Sequence, residues 1–207
     1  MIKEFHLFAG IGGGIYGGML LGHKCVGGVE INKYCQSVLK QRQEDGWMNK
    51  FPIFDDVTNI DGAKFVGKFD VLCGGFPCQA FSHAARGNNK AEKNLWPYMF
   101  EFVKQSKAPI VFAENVTREA IETAMEDLLS IGYKVKHCKL SCEQLGADHS
   151  RVRYWLLAIS DKNKLSALAK QLNKLPKLIA NCWHRNPHSI EYPTVIEARA
   201  PQFLGVG

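Results

Sequence analysis

Short apolar runs alternate with amphipathic stretches along most of this 207-residue chain. This rhythm is typical of βαβ units, in which crossover helices join parallel strands. It predicts an α/β fold, a Rossmann-like and mainly parallel sheet with helices on both faces. The predicted strands are 4–8, 24–29, 69–73, 109–113, 133–140 and 154–159, and the predicted helices are 16–21, 33–43, 95–107, 119–131 and 162–175.

Composition narrows the class of protein. With 46% hydrophobic residues, the chain can build one well-packed domain with little left for a second. No apolar run approaches the length of a membrane span, and seven cysteines at irregular spacings argue against a disulfide framework. We therefore expect a cytoplasmic protein with no membrane partner. The net charge of +6 is compatible with a nucleic-acid partner without establishing one.

A glycine-rich turn, Phe8 to Gly14, joins the first strand to the first helix. Such turns expose backbone N–H groups at a helix N-terminus, where an anionic group is favoured, although plain tight turns use the same device. Glu30 follows the second strand, where a carboxylate can accept hydrogen bonds from ribose hydroxyls. Asp56 lies at a plausible third strand end and could accept from an adenine amino group. Together these strand ends predict a site for a nucleoside-containing ligand.

Cys78 follows Pro77 on the loop after the strand 69–73. Proline stiffens the turn, and ligands of open α/β sheets gather at the carboxyl ends of the strands. A thiol held there suits a nucleophile if its surroundings favour the thiolate. A buried structural cysteine is the other interpretation, and the segment alone leaves the two level.

Glu114 ends the strand 109–113, and a carboxyl emerging from so apolar a run can have a raised pKa and donate a proton near neutral pH. Taken alone, the residue favours the other interpretation, a strand-end acid that caps the next helix. Arg151 and Arg153 lie on one side of an extended segment, because side chains alternate along a strand. They could bind a base carbonyl or phosphates, or form an ordinary surface pair.

In combination, these blocks resemble the signature motifs of the cytosine-C5 DNA methyltransferases, in the family's order and over about residues 4–159. The resemblance implies an S-adenosylmethionine-dependent enzyme that methylates C5 of cytosine in DNA. The catalytic residues that it implies are Cys78, Glu114, Arg151 and Arg153. The cofactor-binding residues that it implies are Phe8, Gly10, Ile11, Gly13, Glu30, Asp56, Val57, Pro77 and Leu95.

The resemblance also implies a mechanism. Cys78 would attack C6 of a cytosine flipped out of the duplex while Glu114 protonates or hydrogen-bonds N3, which makes C5 able to accept the methyl group. Arg153 would hold the base and its O2, with Arg151 nearby on phosphate or on the active-site carboxylate. The segment 82–94 resembles the mobile catalytic loop of the family, although an ordinary polar loop would have the same composition.

Three features depart from the family pattern. His149 stands where a glutamine is usual, His6 stands where an acid is common, and only 161–207 follows the last matched strand. We expect a catalytic domain over 1–160 and a short helix and tail over 161–207, with no separate target-recognition domain. The chain could be the catalytic half of a split enzyme whose second polypeptide supplies recognition, a minimal enzyme of low sequence specificity such as a mobile element or virus carries, or a truncated copy that no longer turns over. We expect a prokaryotic or viral origin.

Other functions and ligands stay open on the residues alone. A tRNA cytosine methyltransferase would use the same cysteine and glutamate, and a non-catalytic relative would keep them as relics. A nicotinamide-dependent oxidoreductase would leave Cys78, Glu114 and Arg153 without a role. Potential metal ligands occur without an organising C-x-x-C spacing, so no metal is expected. These scattered candidates are His137, Cys138, Cys142, His149, Cys182 and His184.

Overall fold

A computed structural model describes residues 1–77 and 94–161 of the chain, together with Ser166 and Lys170. The strands of the described part are β1 (Lys3–Leu7), β2 (Lys24–Val29), β3 (Ile53–Phe54), β4 (Val71–Gly75), β5 (Ile110–Asn115), β6 (Lys134–Ser141) and β7 (Val152–Ile159). The α-helices are α1 (Gly13–Leu20), α2 (Lys33–Glu44), α3 (Trp96–Ser106) and α4 (Arg118–Ser130).

The seven strands form one sheet in the order β3-β2-β1-β4-β5-β7-β6. Strands β3, β2, β1, β4 and β5 pair in parallel, whereas β7 lies antiparallel to both β5 and β6. The predicted fold, a mainly parallel sheet with helices, is confirmed. The antiparallel hairpin of β6 and β7 closes one edge of it.

The main core lies where α3 and α4 cover the sheet. Four aromatic rings on β1, the segment before β4, and α3 pack in edge-on, tilted or stacked pairs, with centroids 4.8 to 6.3 Å apart. Each fully buried aromatic side chain contributes about 1.5–3 kcal/mol to the free energy of folding. The rings of this group are those of Phe5, Phe65, Phe69 and Phe102.

Two element boundaries differ from the predicted ones. The predicted strand 69–73 is observed as Val71–Gly75, because the ring of Phe69 packs into the aromatic core and Asp70 accepts a hydrogen bond from the backbone N–H of Lys3. The pairing of β4 with β5 continues through Gly74 and Gly75. Glycine has no side chain that would indicate a strand, so these two positions were not predicted as strand residues. Helix α1 begins three residues before the predicted 16–21, directly after Gly12, whose φ of +93° ends the turn.

Helix boundaries elsewhere follow capping residues that the sequence shows. The side chain of Asn32 accepts from two backbone N–H groups at the start of α2, and Thr117 does the same for one at the start of α4. Gly132, with φ +87°, follows the end of α4 as predicted. No helix in the described ranges is long and apolar enough to cross a membrane. Most of the predicted helix 162–175 lies outside the described residues.

Candidate active site

The predicted site residues gather at the carboxyl edge of the parallel strands. This edge is where ligands bind in open α/β sheets. Leu7 of β1 pairs with Gly74 of β4, and Gly75 pairs with Glu114 of β5, so the segments that leave these strands are neighbours. The predicted residues that leave β1, β2, β4 and β5 at or just beyond this edge are Phe8, Gly10, Ile11, Glu30, Pro77 and Glu114.

The turn between β1 and α1 is held in an unusual backbone conformation. Phe8 has φ +56°, which a residue with a side chain rarely adopts, and Gly10 has φ +55°. The two carboxylate oxygens of Glu30 accept hydrogen bonds from the backbone N–H groups of Gly10, at 2.7 Å, and Asn32, at 2.8 Å. Glu30 therefore shapes the turn as well as ending β2. Left-handed strain outside glycine is often found at functional sites.

Arg42 was not predicted as a site residue, but its guanidinium donates to the carbonyl of Ile11. Arg42 lies in the last helical turn of α2, and its hydrogen bond links that helix to the glycine-rich turn. Nothing in a single sequence distinguishes Arg42 from the other basic residues of that helix, because the contact joins positions 31 residues apart.

The inner surface of the turn fits the predicted cofactor. A Cβ atom added at Gly10 or Gly13 would meet no heavy atom within 4 Å, so the backbone there is open to a ligand. Ile11 in this turn and Ile31, directly after Glu30, add exposed apolar side chains. A carboxylate, free backbone surface and apolar side chains together suit a nucleoside-containing molecule.

Asp56 lies just beyond β3 and caps a short 3₁₀ helix at Val57–Asn59. Its Oδ1 accepts from the backbone N–H of Thr58 at 2.8 Å, and its Oδ2 accepts from the side chain of Asn59 at 3.4 Å. Val57 is buried in the main core. Asp56 thus has a structural partner for each oxygen, and a carboxylate oxygen can accept further bonds.

Glu114 and Arg153 form a part-buried ion pair at the end of β5. The Arg153 Nε atom lies 2.7 Å from Oε1 of Glu114, and about a quarter of the Glu114 side chain is exposed. Burial raises the pKa of Glu114 above its ordinary value, while the charges of Arg153 and Arg151 oppose that rise. A Cβ at position 75 would lie 3.0 Å from Glu114 Oε2, so Gly75 gives the carboxyl group room. The predicted direction of the pKa shift is confirmed.

Asn115 joins the same strand end to the loop that carries the predicted nucleophile. Its side-chain amide donates to the carbonyl of Phe76 at 2.9 Å, and its Oδ1 accepts from the backbone N–H of Thr117 at 3.2 Å. The backbone N–H of Leu95 donates to the carbonyl of Pro77 at 3.3 Å, so the segment between them begins and ends at one place. No role was predicted for Asn115, although it belongs to the motif Glu114-Asn115-Val116 that contributes to the resemblance.

The remaining predicted catalytic residues differ in how far the structure describes them. Arg151 is exposed, and its carbonyl accepts from the backbone N–H of Cys142 at 3.3 Å. Its charge acts on Glu114 but, unlike Arg153, no described hydrogen bond joins the two side chains. His149 is exposed beside Asp148. Cys78 and the residues 82–93 of the predicted loop lie outside the described residues.

This Rossmann-like fold is shared with solved structures of methyltransferases. The crystal structure of the Dnmt2 methyltransferase from S. pombe matches it with a TM-score of 0.63 at 20% sequence identity, covering 77% of this chain and 51% of that one. A methyltransferase encoded within an E. coli prophage, described as a putative DNA modification enzyme, matches with a TM-score of 0.62 at 21% identity, covering 77% of this chain and 47% of that one.

Sequence comparison then identifies the family. The family model described as C-5 cytosine-specific DNA methylase matches residues 2–193, and the chain belongs to that family. The type II methyltransferase M.MspI of Moraxella sp is 28% identical over 173 residues, which cover 78% of this chain and 39% of that protein. M.CviJI of Paramecium bursaria Chlorella virus IL3A is 32% identical over 164 residues, which cover 76% of this chain and 43% of that protein. The chain thus spans about two fifths of the length of these relatives.

Proposed function

We propose that this chain is the catalytic portion of an enzyme that transfers a methyl group from S-adenosylmethionine to C5 of cytosine in DNA. The observation that carries the proposal is the part-buried Glu114 carboxyl, paired with Arg153 and adjoining the loop that leads to Cys78. Membership of the family and the names of its curated relatives support the same reaction. The net charge of +6 is consistent with DNA as the partner.

The cofactor would bind at the turn between β1 and α1. Glu30 would accept hydrogen bonds from its ribose, Phe8, Gly10, Ile11 and Gly13 would surround it, and Asp56 and Val57 would contact its adenine. Pro77 and Leu95, which are hydrogen-bonded to each other through their backbones, would flank its methionine end. When bound, S-adenosylmethionine supplies a methyl group activated by a sulfonium.

The residues of the chain would perform the remaining steps. Cys78 would add as a thiolate to C6 of the flipped cytosine, and Glu114 would donate a proton or a hydrogen bond at N3, which favours the addition. The raised pKa of Glu114 helps because the carboxyl stays protonated to a higher pH. Arg153 would orient both Glu114 and the base, and Arg151 would contact a phosphate. After methyl transfer, a base removes the C5 proton and Cys78 leaves.

The test is methyl transfer from labelled S-adenosylmethionine to mixed-sequence duplex DNA, with the product nucleoside identified by mass spectrometry. Wild-type protein should yield 5-methylcytosine, and Cys78→Ala should abolish the yield. Glu114→Gln should lower the rate by about 10²–10⁴-fold, the usual range for a general acid. Cys35→Ser, a change on the half-buried side of α2, is the matched control and should keep full activity.

Parallel measurements separate the alternatives. Methyl transfer to tRNA but not to DNA would show that tRNA, and not DNA, is the substrate. Cofactor binding without transfer to either would show that the chain needs a second polypeptide or has lost catalysis, and addition of a candidate partner would separate those two. Activity that survives in Cys78→Ala would contradict the proposed nucleophile.

A further inference from the structure

A second group of titratable side chains lies buried between the sheet and α1. Glu4 and His6 are two residues apart on β1, so they share a face of the sheet, and His6 pairs in register with Cys73 of β4. All three residues are less than 9% exposed. The proposed reaction uses none of them, and buried titratable groups of this kind are costly unless something compensates their charge.

Their potential ligand atoms converge. A Glu4 carboxylate oxygen, an imidazole nitrogen of His6 and the Sγ of Cys73 all lie within 4.8 Å of one another, and Oε2 of Glu4 is 2.9 Å from Nε2 of His6. Ligand atoms around a tetrahedral Zn²⁺ are roughly 3.4 Å apart, given bond lengths of about 2.0–2.3 Å. Small side-chain rotations would therefore bring these three atoms to bonding distance of one ion.

The chemistry of the three ligands suits zinc. Imidazole, thiolate and carboxylate are the groups that bind Zn²⁺ in proteins. A carboxylate and a thiolate together carry two negative charges, which would neutralise the ion without leaving net charge in the interior. Binding would release the Cys73 proton to solvent as the sulfur–metal bond forms.

His23 holds the Glu4 carboxylate, and the backbone of α1 covers the cluster. Nδ1 of His23 lies 2.5 Å from Oε1 of Glu4, which fixes the other carboxylate oxygen in the manner of an outer-shell partner of a metal ligand. Nε2 of His23 is buried with no hydrogen-bond partner in the described part of the chain. From α1, a Cβ at Gly18 would lie 2.0 Å from Oε2 of Glu4, so the helix backbone sits directly on the cluster.

We propose that Glu4, His6 and Cys73 supply three protein ligands to a buried Zn²⁺ ion that joins β1 to β4 beneath α1, with a water molecule as the fourth ligand. No metal was predicted from the sequence, because no ligand spacing along the chain indicates one. Positions 4, 6 and 73 have no such spacing, and only the parallel pairing of β1 with β4 brings them together. An ion here would stabilise the base of the helix that follows the glycine-rich turn.

Metal content and absorption spectra of the whole chain test the site. Protein purified without chelators should contain about one Zn²⁺ per chain. After zinc is exchanged for Co²⁺, a thiolate-to-cobalt charge-transfer band should appear in the near-ultraviolet. Cys73→Ala should lose the band and the bound metal. Cys35→Ala is the control, because it removes a free thiol from α2, away from the cluster.

The wild-type protein alone can overturn the proposal. A metal-free chain that gives no charge-transfer band with Co²⁺, and whose thermal midpoint is the same with Zn²⁺ and with a chelator, would show that the cluster is a proton-linked hydrogen-bond network. Metal retained at full stoichiometry in Cys73→Ala would also contradict it. If Cys73→Ala does not fold, His6→Gln should show at least a tenfold loss of Zn²⁺ affinity while His23→Gln shows a smaller one.

Discussion

Glu114 and Asn115 are neighbours on β5, and side-chain alternation turns them to opposite faces of the sheet. Glu114 meets Arg153 and a partly open edge, whereas Asn115 is almost fully buried and bonds to backbone. The same strand end therefore provides one residue suited to proton transfer and one suited to positioning. Their different environments lead to different predictions.

Removing the titrating group at Glu114 should change how stability depends on pH. Because burial raises the folded-state pKa, the folded protein holds the proton more tightly than the unfolded chain. The stability that Glu114 contributes is fully present below its unfolded pKa and is lost as the pH rises through the raised folded pKa. In urea unfolding at a series of pH values, the free energy of wild type minus that of Glu114→Gln should fall with rising pH across that window.

Glu126→Gln, which removes a charge from the exposed side of α4, measures the effect of one fewer negative charge on the protein. If the difference between wild type and Glu114→Gln instead rises with pH, the Arg153 charge outweighs burial at Glu114, and the assignment of a raised pKa is wrong.

Truncation of Asn115 should destabilise the protein through the backbone of Phe76. Asn115→Ala leaves the carbonyl of Phe76 without its donor, and an unsatisfied buried polar group costs about 1–3 kcal/mol. Asn59→Ala, which removes an exposed asparagine with one long hydrogen bond of 3.4 Å, should change the free energy of unfolding by less than about 0.5 kcal/mol. Denaturant titrations compare the two, and equal effects would contradict a positioning role for Asn115.

At the scale of elements, α1 is the helix whose own sequence favours it least. Four of its eight residues are glycines, and each glycine in a helix interior costs about 0.8–1.0 kcal/mol relative to alanine. The structure gives a reason for one of them, since Gly18 lets the helix lie on Glu4, and shows open space at its neighbour Gly17. Tertiary contact, not propensity, therefore keeps this helix in place.

Adjacent substitutions in α1 should have opposite signs. Gly17→Ala adds a methyl group that meets no heavy atom within 4 Å, so it should stabilise the protein by about 0.5–1 kcal/mol through helix propensity. Gly18→Ala places its methyl group 2.0 Å from the Glu4 carboxylate, so it should destabilise by about 1–3 kcal/mol through overpacking. Thermal and urea unfolding measure both. Two stabilised variants would show that α1 does not pack against Glu4.

At the scale of the whole molecule, the strand order distinguishes strands that are paired on both sides from strands at the edges of the sheet. β1, β4 and β5 each have a paired strand on both sides, whereas β3 and β6 are the outer strands of the described sheet. α3 and α4 cover the same central region with the largest hydrophobic cluster. The edge that carries the proposed site thus adjoins the doubly paired strands and the largest hydrophobic cluster.

Hydrogen exchange should report this gradient. Amides of β1, β4 and β5 should exchange slowest, near the rate set by global unfolding, and those of β3 and the outer side of β6 should exchange faster. Exchange followed by mass spectrometry on peptides from each strand makes the comparison. Protection of β6 equal to that of β4 would indicate that a further segment or a partner covers the β6 edge.

The sequence by itself determined the order of the elements, because hydrophobic periodicity and capping are local. β2 was predicted within its observed bounds, Lys24–Val29, since polar residues flank its apolar run. The sequence also indicated the glycine-rich turn, Glu30 and the Glu114 motif, because each lies directly after a predicted strand. The roles of Cys78 and of the segment 161–207 stay predictions, since both lie outside the described residues apart from Asp161, Ser166 and Lys170.

Only the tertiary structure decided which distant residues meet. The antiparallel insertion of β7 beside β5 brings Arg153 to Glu114, and the pairing of β1 with β4 brings Cys73 to Glu4 and His6. Asn115 at Phe76 and Gly18 at Glu4 are contacts of the same kind. Strand order and register follow from packing the whole chain around one core, and no local pattern in the sequence records them.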